Sequence, residues 1–197
     1  MSNPAGIQSF AEVLTKEYPA LNVLINNAGI MRPENLLGQP DYLADAEAMV
    51  LTNLLGPIRL TAALLPLLRK QTRATIMNVS SGLAFVPLPI APVYSATKAA
   101  LHAYTQSLRV QLHGTGVTVV ELAPPGVETP LFRGEFAHEF KGQKAMDVKD
   151  LASKTIAAIE KGTLEIRPGI ANLLKVMSRI APGFMLRQMS GLAKRSV

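Results

Sequence analysis

The sequence contains no cysteine and no tryptophan. Without a thiol there is no disulfide framework and no thiolate metal site, and the cytoplasm is the expected compartment. Charged residues are scarce at 17%, against 48% hydrophobic, which excludes a self-repelling disordered chain. No uninterrupted apolar run reaches the roughly 18 residues of a membrane span. The opening M-S-N-P-A-G-I-Q has neither the basic start nor the apolar centre of a secretory signal. Acid is missing from one whole region: residues 170–197 hold Lys175, Arg179, Arg187, Lys194 and Arg195 but no Asp or Glu, leaving 15 basic and 14 acidic groups in residues 1–169. The net charge of +6 therefore belongs to the tail, and the near-neutral body gives no footing for nucleic acid.

What is present reads as one α/β body over 1–169 with a basic amphipathic extension over 170–197. Ile7, Phe10, Val13, Leu14 and Tyr18 recur at helical spacing up to Pro19. Leu21 to Ile25 is a short apolar run of the kind buried in a parallel sheet, and Asn26-Asn27-Ala28-Gly29 follows as a turn or a site. A long helix is expected from Asp41 to Lys70, with Gly56-Pro57 in its interior. Proline has no N–H to offer the carbonyl four residues earlier, that of Asn53. The helix therefore either simply bends there or leaves that carbonyl free for a water. Ala74–Val79 and Val117–Leu122 read as further strands, and Leu164–Arg167 as a last short one. A helix starts at Asp147 and Asp150 and ends at Lys161-Gly162. Residues 131–146 combine two glycines, three phenylalanines and mixed charge without a period, the pattern of a lid. In the tail, Leu173, Leu174, Met177 and Ile180 share one helical face before Pro182-Gly183. That face could cover a substrate entrance, a second subunit or an anionic membrane surface. The histidines at 102, 113 and 138 have no metal-ligand spacing and read as ordinary surface or core residues.

The chemistry concentrates between Asn78 and Lys98. Ser81 stands at the carboxyl end of a strand, where open α/β sheets bind ligands. Tyr94 and Lys98 are four apart, one turn along a helix face, so both can touch one small molecule. An ammonium one turn from a phenol stabilises the phenolate and lowers the phenol's proton affinity, which would suit Tyr94 to acid/base work. The connecting loop F-V-P-L-P-I-A-P-V is stiff and apolar; it could wall a hydrophobic pocket or cover the core.

Taken in order, N-N-A-G at 26–29, Asn53 in a long helix, N-V-S-S at 78–81, Y-S-A-T-K at 94–98 and P-P-G-V-E-T at 124–129 resemble the short-chain dehydrogenase/reductase family. The segments S-G-L-A-F-V-P, A-T-K-A-A-L-H and E-L-A-P-P are similar to its bacterial subgroup labelled D-alanine-transfer-operon oxidoreductase. The resemblance implies a Rossmann-like parallel sheet with flanking helices and hydride transfer between an alcohol and a carbonyl with NAD or NADP. It implies Tyr94 as acid/base, Ser81 on the substrate carbonyl, Lys98 on the nicotinamide ribose and Asn53 holding a relay water. Asn26, Ala28 and Gly29 would lie beside the adenosine half of the cofactor, and Val127 and Thr129 beside its carboxamide. The substrate would be a small, apolar alcohol or carbonyl compound. A homo-oligomer or a weak membrane contact through the tail completes the expected partners, with no nucleic acid and no metal.

The family's opening strand and T-G-x-x-x-G-x-G turn, which cradle the pyrophosphate, have no counterpart in these residues. The expectation is an N-terminally truncated fold in which the first three strands and two helices are absent and Leu21–Ile25 lies at an exposed apolar edge. One alternative follows from that edge: an inactive remnant that serves as an interaction module.

Overall fold

A computed structural model describes residues 3–38, 42–134, 136–138 and 140–193. Asp41, expected to start the second helix, and Lys194 and Arg195 of the tail lie outside the described residues. The elements in order are helix α1 (Pro4–Glu17), strand β1 (Val23–Asn26), helices α2 (Tyr42–Val50) and α3 (Gly56–Leu68), strand β2 (Ala74–Val79), helix α4 (Pro92–Gln111), strand β3 (Val117–Leu122), helices α5 (Pro130–Arg133) and α6 (Val148–Glu160), strand β4 (Glu165–Ile166), and helices α7 (Ala171–Ile180) and α8 (Pro182–Ala193).

All four strands run parallel in the order β1-β2-β3-β4, as alternating apolar runs and amphipathic helices require. Because side chains alternate across a strand, each face of the sheet builds its own core. Leu24, Ile76 and Val119, in register with one another, pack with Ile7 of α1, Leu60 and Leu64 of α3 and Leu108 of α4. Met77 and Val120, one place along, face the other way and pack with Leu151 and Ile159 of α6. Ile25 is in register with these two, yet it is 54% exposed and Val23 beside it 49%. Among the described residues, β1 is thus an edge strand with one face open: its apolar sequence is of the kind buried in a parallel sheet, and the open edge is the position that the family resemblance implied.

Register also aligns a polar row across the sheet: Asn26 with Asn78, Asn78 with Glu121, Glu121 with Glu165. Each member is held from the helical side. Asn26 Nδ2 donates to Thr61 Oγ1 at 3.2 Å and to Asn78 Oδ1 at 2.8 Å, and Asn78 Nδ2 donates to Thr105 Oγ1 at 2.9 Å. Buried side chains hydrogen-bonded across the sheet in this way favour one strand register over its neighbours, although the Asn26 Oδ1 itself has no partner among the described residues.

Between α2 and α3 the helix does not break at Pro57; it passes through a π-helical turn, Leu51–Leu55. A π turn accommodates a position where the ordinary ladder cannot close, and Pro57, two residues past the turn, has no N–H for the Asn53 carbonyl. By length and composition Tyr42–Leu68 could cross a membrane, but Met49, Asn53, Leu64 and Leu68 on it are buried in the protein. Asp147 caps α6 as its sequence predicts, accepting from the N–H groups of Lys149 and Asp150.

Candidate active site

At the carboxyl ends of β1, β2 and β3 a cavity of about 640 Å³ opens. Ser81, Tyr94, Lys98, Ala28, Gly29, Val127 and Thr129 all line it; of the sequence-derived candidates, Asn26 and Asn53 do not. Ser81, two residues beyond β2, caps a 3-10 turn, Gly82–Ala84, its Oγ accepting from the Leu83 N–H at 3.1 Å. Tyr94 and Lys98 are both buried in the first turns of α4. That helix begins with Pro92 and has no capping side chain of its own. Instead the buried Glu34, from the loop after β1, accepts the Val93 N–H at 2.8 Å, so a carboxyl group at a helix start steadies the element carrying the reactive pair.

Asn53 sits in the π turn, fully buried. Its side-chain oxygen accepts the Ile30 N–H at 2.9 Å, and its Nδ2 donates to the Ile30 carbonyl at 2.8 Å and to Thr97 Oγ1 at 3.3 Å. The side chain thereby ties the loop after β1 to α4. At Gly29 in that loop a Cβ would lie 3.5 Å from both Lys98 Nζ and Asn53 Oδ1, which places the loop backbone directly over the lysine. Asn26 braces the sheet interior through Thr61 and Asn78 and stands behind the cavity wall.

The electrostatics differ from those the spacing suggests. Burial pushes the Tyr94 phenol up to about 12, with the Ser81 hydroxyl pulling the other way. The same burial pushes the Lys98 ammonium down to about 8. Desolvation outweighs the expected help from the lysine because Lys98 Nζ turns to the Val79 carbonyl, 2.8 Å away, and lies 5.7 Å from the centre of the Tyr94 ring. The phenol is therefore a proton donor at neutral pH, which suits delivery of a proton to a carbonyl oxygen.

Lys98 is the only charged side chain among the described residues lining the cavity. Much of the remaining wall is apolar, and part of it comes from the two regions the sequence marked as a lid and as a possible cover of a substrate entrance. Leu131, Phe132 and Phe140 bring residues 131–146 against it, and Leu174 and Met189 bring in the tail. Within this segment the phenylalanines pack together: Phe136 and Phe140 are buried, and Phe132 stacks on Phe140 at 4.5 Å. Gly126 makes this arrangement possible, since a Cβ there would fall 2.5 Å from the Phe132 ring.

Beside the cavity, Glu121 is wholly buried, with Ser80 Oγ donating to it at 2.5 Å and His102 Nδ1 at 2.7 Å from its other oxygen. His102 is thus more than the ordinary residue its sequence context implies. His102, Glu121 and Glu165 bring three potential metal ligands within 4.8 Å of one another, but Glu165 is already paired with Arg167 and Lys175.

A parallel α/β sheet with Ser81, Tyr94 and Lys98 meeting at the carboxyl ends of its strands defines the architecture of a nucleotide-dependent oxidoreductase family. The sequence model of the short chain dehydrogenase family matches residues 1–139, and the chain belongs to that family. It is 42% identical over 154 residues to the uncharacterized oxidoreductase DltE of Bacillus subtilis, covering 78% of this chain and 57% of that one. A Staphylococcus epidermidis uncharacterized oxidoreductase is 30% identical over 156 residues, 79% of this chain and 65% of its own. The chain thus spans about three fifths of the curated relatives it matches. Among solved structures, a short chain dehydrogenase from Burkholderia cenocepacia in complex with NADP superposes with a TM-score of 0.81 at 25% identity, over 95% of this chain and 75% of that one. One from Sphingobium yanoikuyae in complex with NADPH gives 0.77 at 24%, over 93% and 72%, and shares the fold.

Proposed function

We propose that the cavity binds the nicotinamide half of NAD or NADP and interconverts an apolar alcohol and its carbonyl compound. The observation that carries this reading is the meeting of Ser81, Tyr94 and Lys98 in one apolar cavity whose other rim is Ala28 and Gly29 on one side and Val127 and Thr129 on the other. The residues fit the nicotinamide ribose: Lys98 Nζ lies close to the Gly29 backbone, a donor beside a surface without a side chain that a sugar can approach closely. They offer less to a pyrophosphate, because no second cation is among the described lining residues.

When bound, the nucleotide supplies or accepts the hydride. The chain's own residues handle orientation and the proton. Ser81 Oγ donates to the carbonyl oxygen of the substrate, and the neutral Tyr94 phenol protonates that oxygen as charge develops on it. Lys98 stabilises the phenolate left behind, a role that asks its side chain to swing from the Val79 carbonyl toward the phenol. Asn53, outside the cavity wall, ties the loop after β1 to α4 and holds through its backbone carbonyl the water by which the proton is replaced. Without a second charge in the wall, an ionised substrate would be desolvated with no partner, so the substrate is a neutral apolar ketone or alcohol.

Turnover at high nucleotide concentration tests the reading. NAD(P)H oxidation driven by a hydrophobic ketone is expected, and Tyr94→Phe should lower it by two to four orders of magnitude while leaving far-UV circular dichroism unchanged. Nucleotide binding to this chain should be weaker than micromolar. A Tyr94→Phe protein as active as its parent, or no ketone-dependent oxidation at all, overturns the assignment.

A further inference from the structure

Helices α7 and α8 carry two different faces. Leu174 and Met189 point into the cavity, and Lys175 is drawn inward to Glu165. On the outside, Ile170, Leu173, Val176 and Ile180 recur at three- and four-residue spacing, and Phe184 continues the line past Pro182-Gly183. All five are exposed, from Val176 at 45% to Ile180 at 72%. Such a stripe on a helix surface normally faces a core or a partner. Beside it stand Arg179 and Arg187, both exposed and in no ion pair among the described residues. The segment from 170 onward contains no acid at all.

From this we infer that the outer face of α7 and the start of α8 docks on an anionic lipid surface. An apolar stripe bordered by cations lies in a bilayer interface with its side chains among the acyl ends and its guanidinium groups level with the lipid phosphates. A second copy of the chain fits this face poorly. A twofold contact sets the same patch against itself, and cation would then meet cation. The inference does not depend on the proposed chemistry, because it uses none of the groups assigned to it. Ile170, which belongs both to the stripe and to the cavity wall, puts the docked face next to the cavity mouth.

The test is co-sedimentation of the full chain with vesicles of phosphatidylcholine alone and of phosphatidylcholine mixed with phosphatidylglycerol, across a salt series. The partition coefficient should be at least about tenfold higher on the anionic vesicles and should fall as salt rises. Leu173→Glu with Ile180→Glu should lower it at least about tenfold, and Arg179→Gln with Arg187→Gln by a similar factor. If the first pair fails to fold, as judged by circular dichroism, the second pair decides alone. Equal partition on both vesicle types, no binding by the parent, or variants that bind like the parent each overturn the inference. So does a parent dimer in sedimentation velocity that Leu173→Glu with Ile180→Glu converts to monomer.

Discussion

Two buried ionisable side chains flank the cavity, and they are treated in opposite ways. Glu121 has both carboxyl oxygens engaged, one by Ser80 and one by His102, near the carboxyl end of a strand whose neighbours fix its height. Lys98 is nearly as deep but has a single backbone carbonyl for a partner and no counter-charge among the described residues. A satisfied buried group holds a structure in one register, whereas an under-compensated one keeps its proton loosely. Burial without a counter-charge lowers the proton affinity of Lys98, whereas Glu121 is tied into a closed set of hydrogen bonds.

The contrast can be broken most forcefully at Glu121. Glu121→Ala strands His102 and Ser80 in a dry environment and should cost about 3–5 kcal/mol in urea unfolding; a loss below 1 kcal/mol would mean the network is ornamental. Lys98 should behave in the reverse sense. Its depression from 10.5 to about 8 corresponds to about 3 kcal/mol of charge-burial cost at neutral pH. Set against the lost bond to Val79, Lys98→Met should raise stability by about 1–2 kcal/mol while abolishing activity.

The pH dependence sharpens the same point. Between about 8 and 10.5 the unfolded chain holds a proton on Lys98 that the folded chain has released, so stability rises with pH. From 10.0 to about 12 the unfolded chain loses the Tyr94 proton that the folded chain keeps, so stability falls. Urea midpoints should therefore peak near pH 10, with Lys98→Met removing the rise and Tyr94→Phe the fall. Smaller effects bound the comparison. Glu34→Ala, which uncaps α4, should cost about 1 kcal/mol. Ile25→Thr, on the open face of β1, should shift the midpoint by less than about 0.5 kcal/mol.

The parts of this site that were legible in the sequence are those written within one turn or one strand. Tyr94 and Lys98 share a face because α-helices repeat every 3.6 residues, and Asp147 announces its helix because a short acid side chain bonds the next free N–H groups. The parallel sheet followed from its alternating elements. The rest depends on separation along the chain. Glu121 meets Ser80 from 41 residues away and His102 from 19, and Asn53 meets Ile30 from 23; no local period encodes such contacts. The sequence drew attention to the Asn53 backbone, whereas its side chain ties three elements together. Helical spacing reports neighbours and not solvent, so it points to a lowered Tyr94 proton affinity where burial raises it. Phe132, Phe140 and Met189 could have been found only by knowing where residues 131–146 and the tail fold back.

The π turn at Leu51–Leu55 has a geometric consequence for the long helix as a mechanical part. One residue wound into a helix beyond its normal count advances everything after it by about 100° around the axis. The turn acts as a crank: α2 meets α4, while α3, on the same rod, meets α1 and the sheet. Deleting one residue there would turn one half of the rod by about 100° against the other and swing its apolar surface out of the protein.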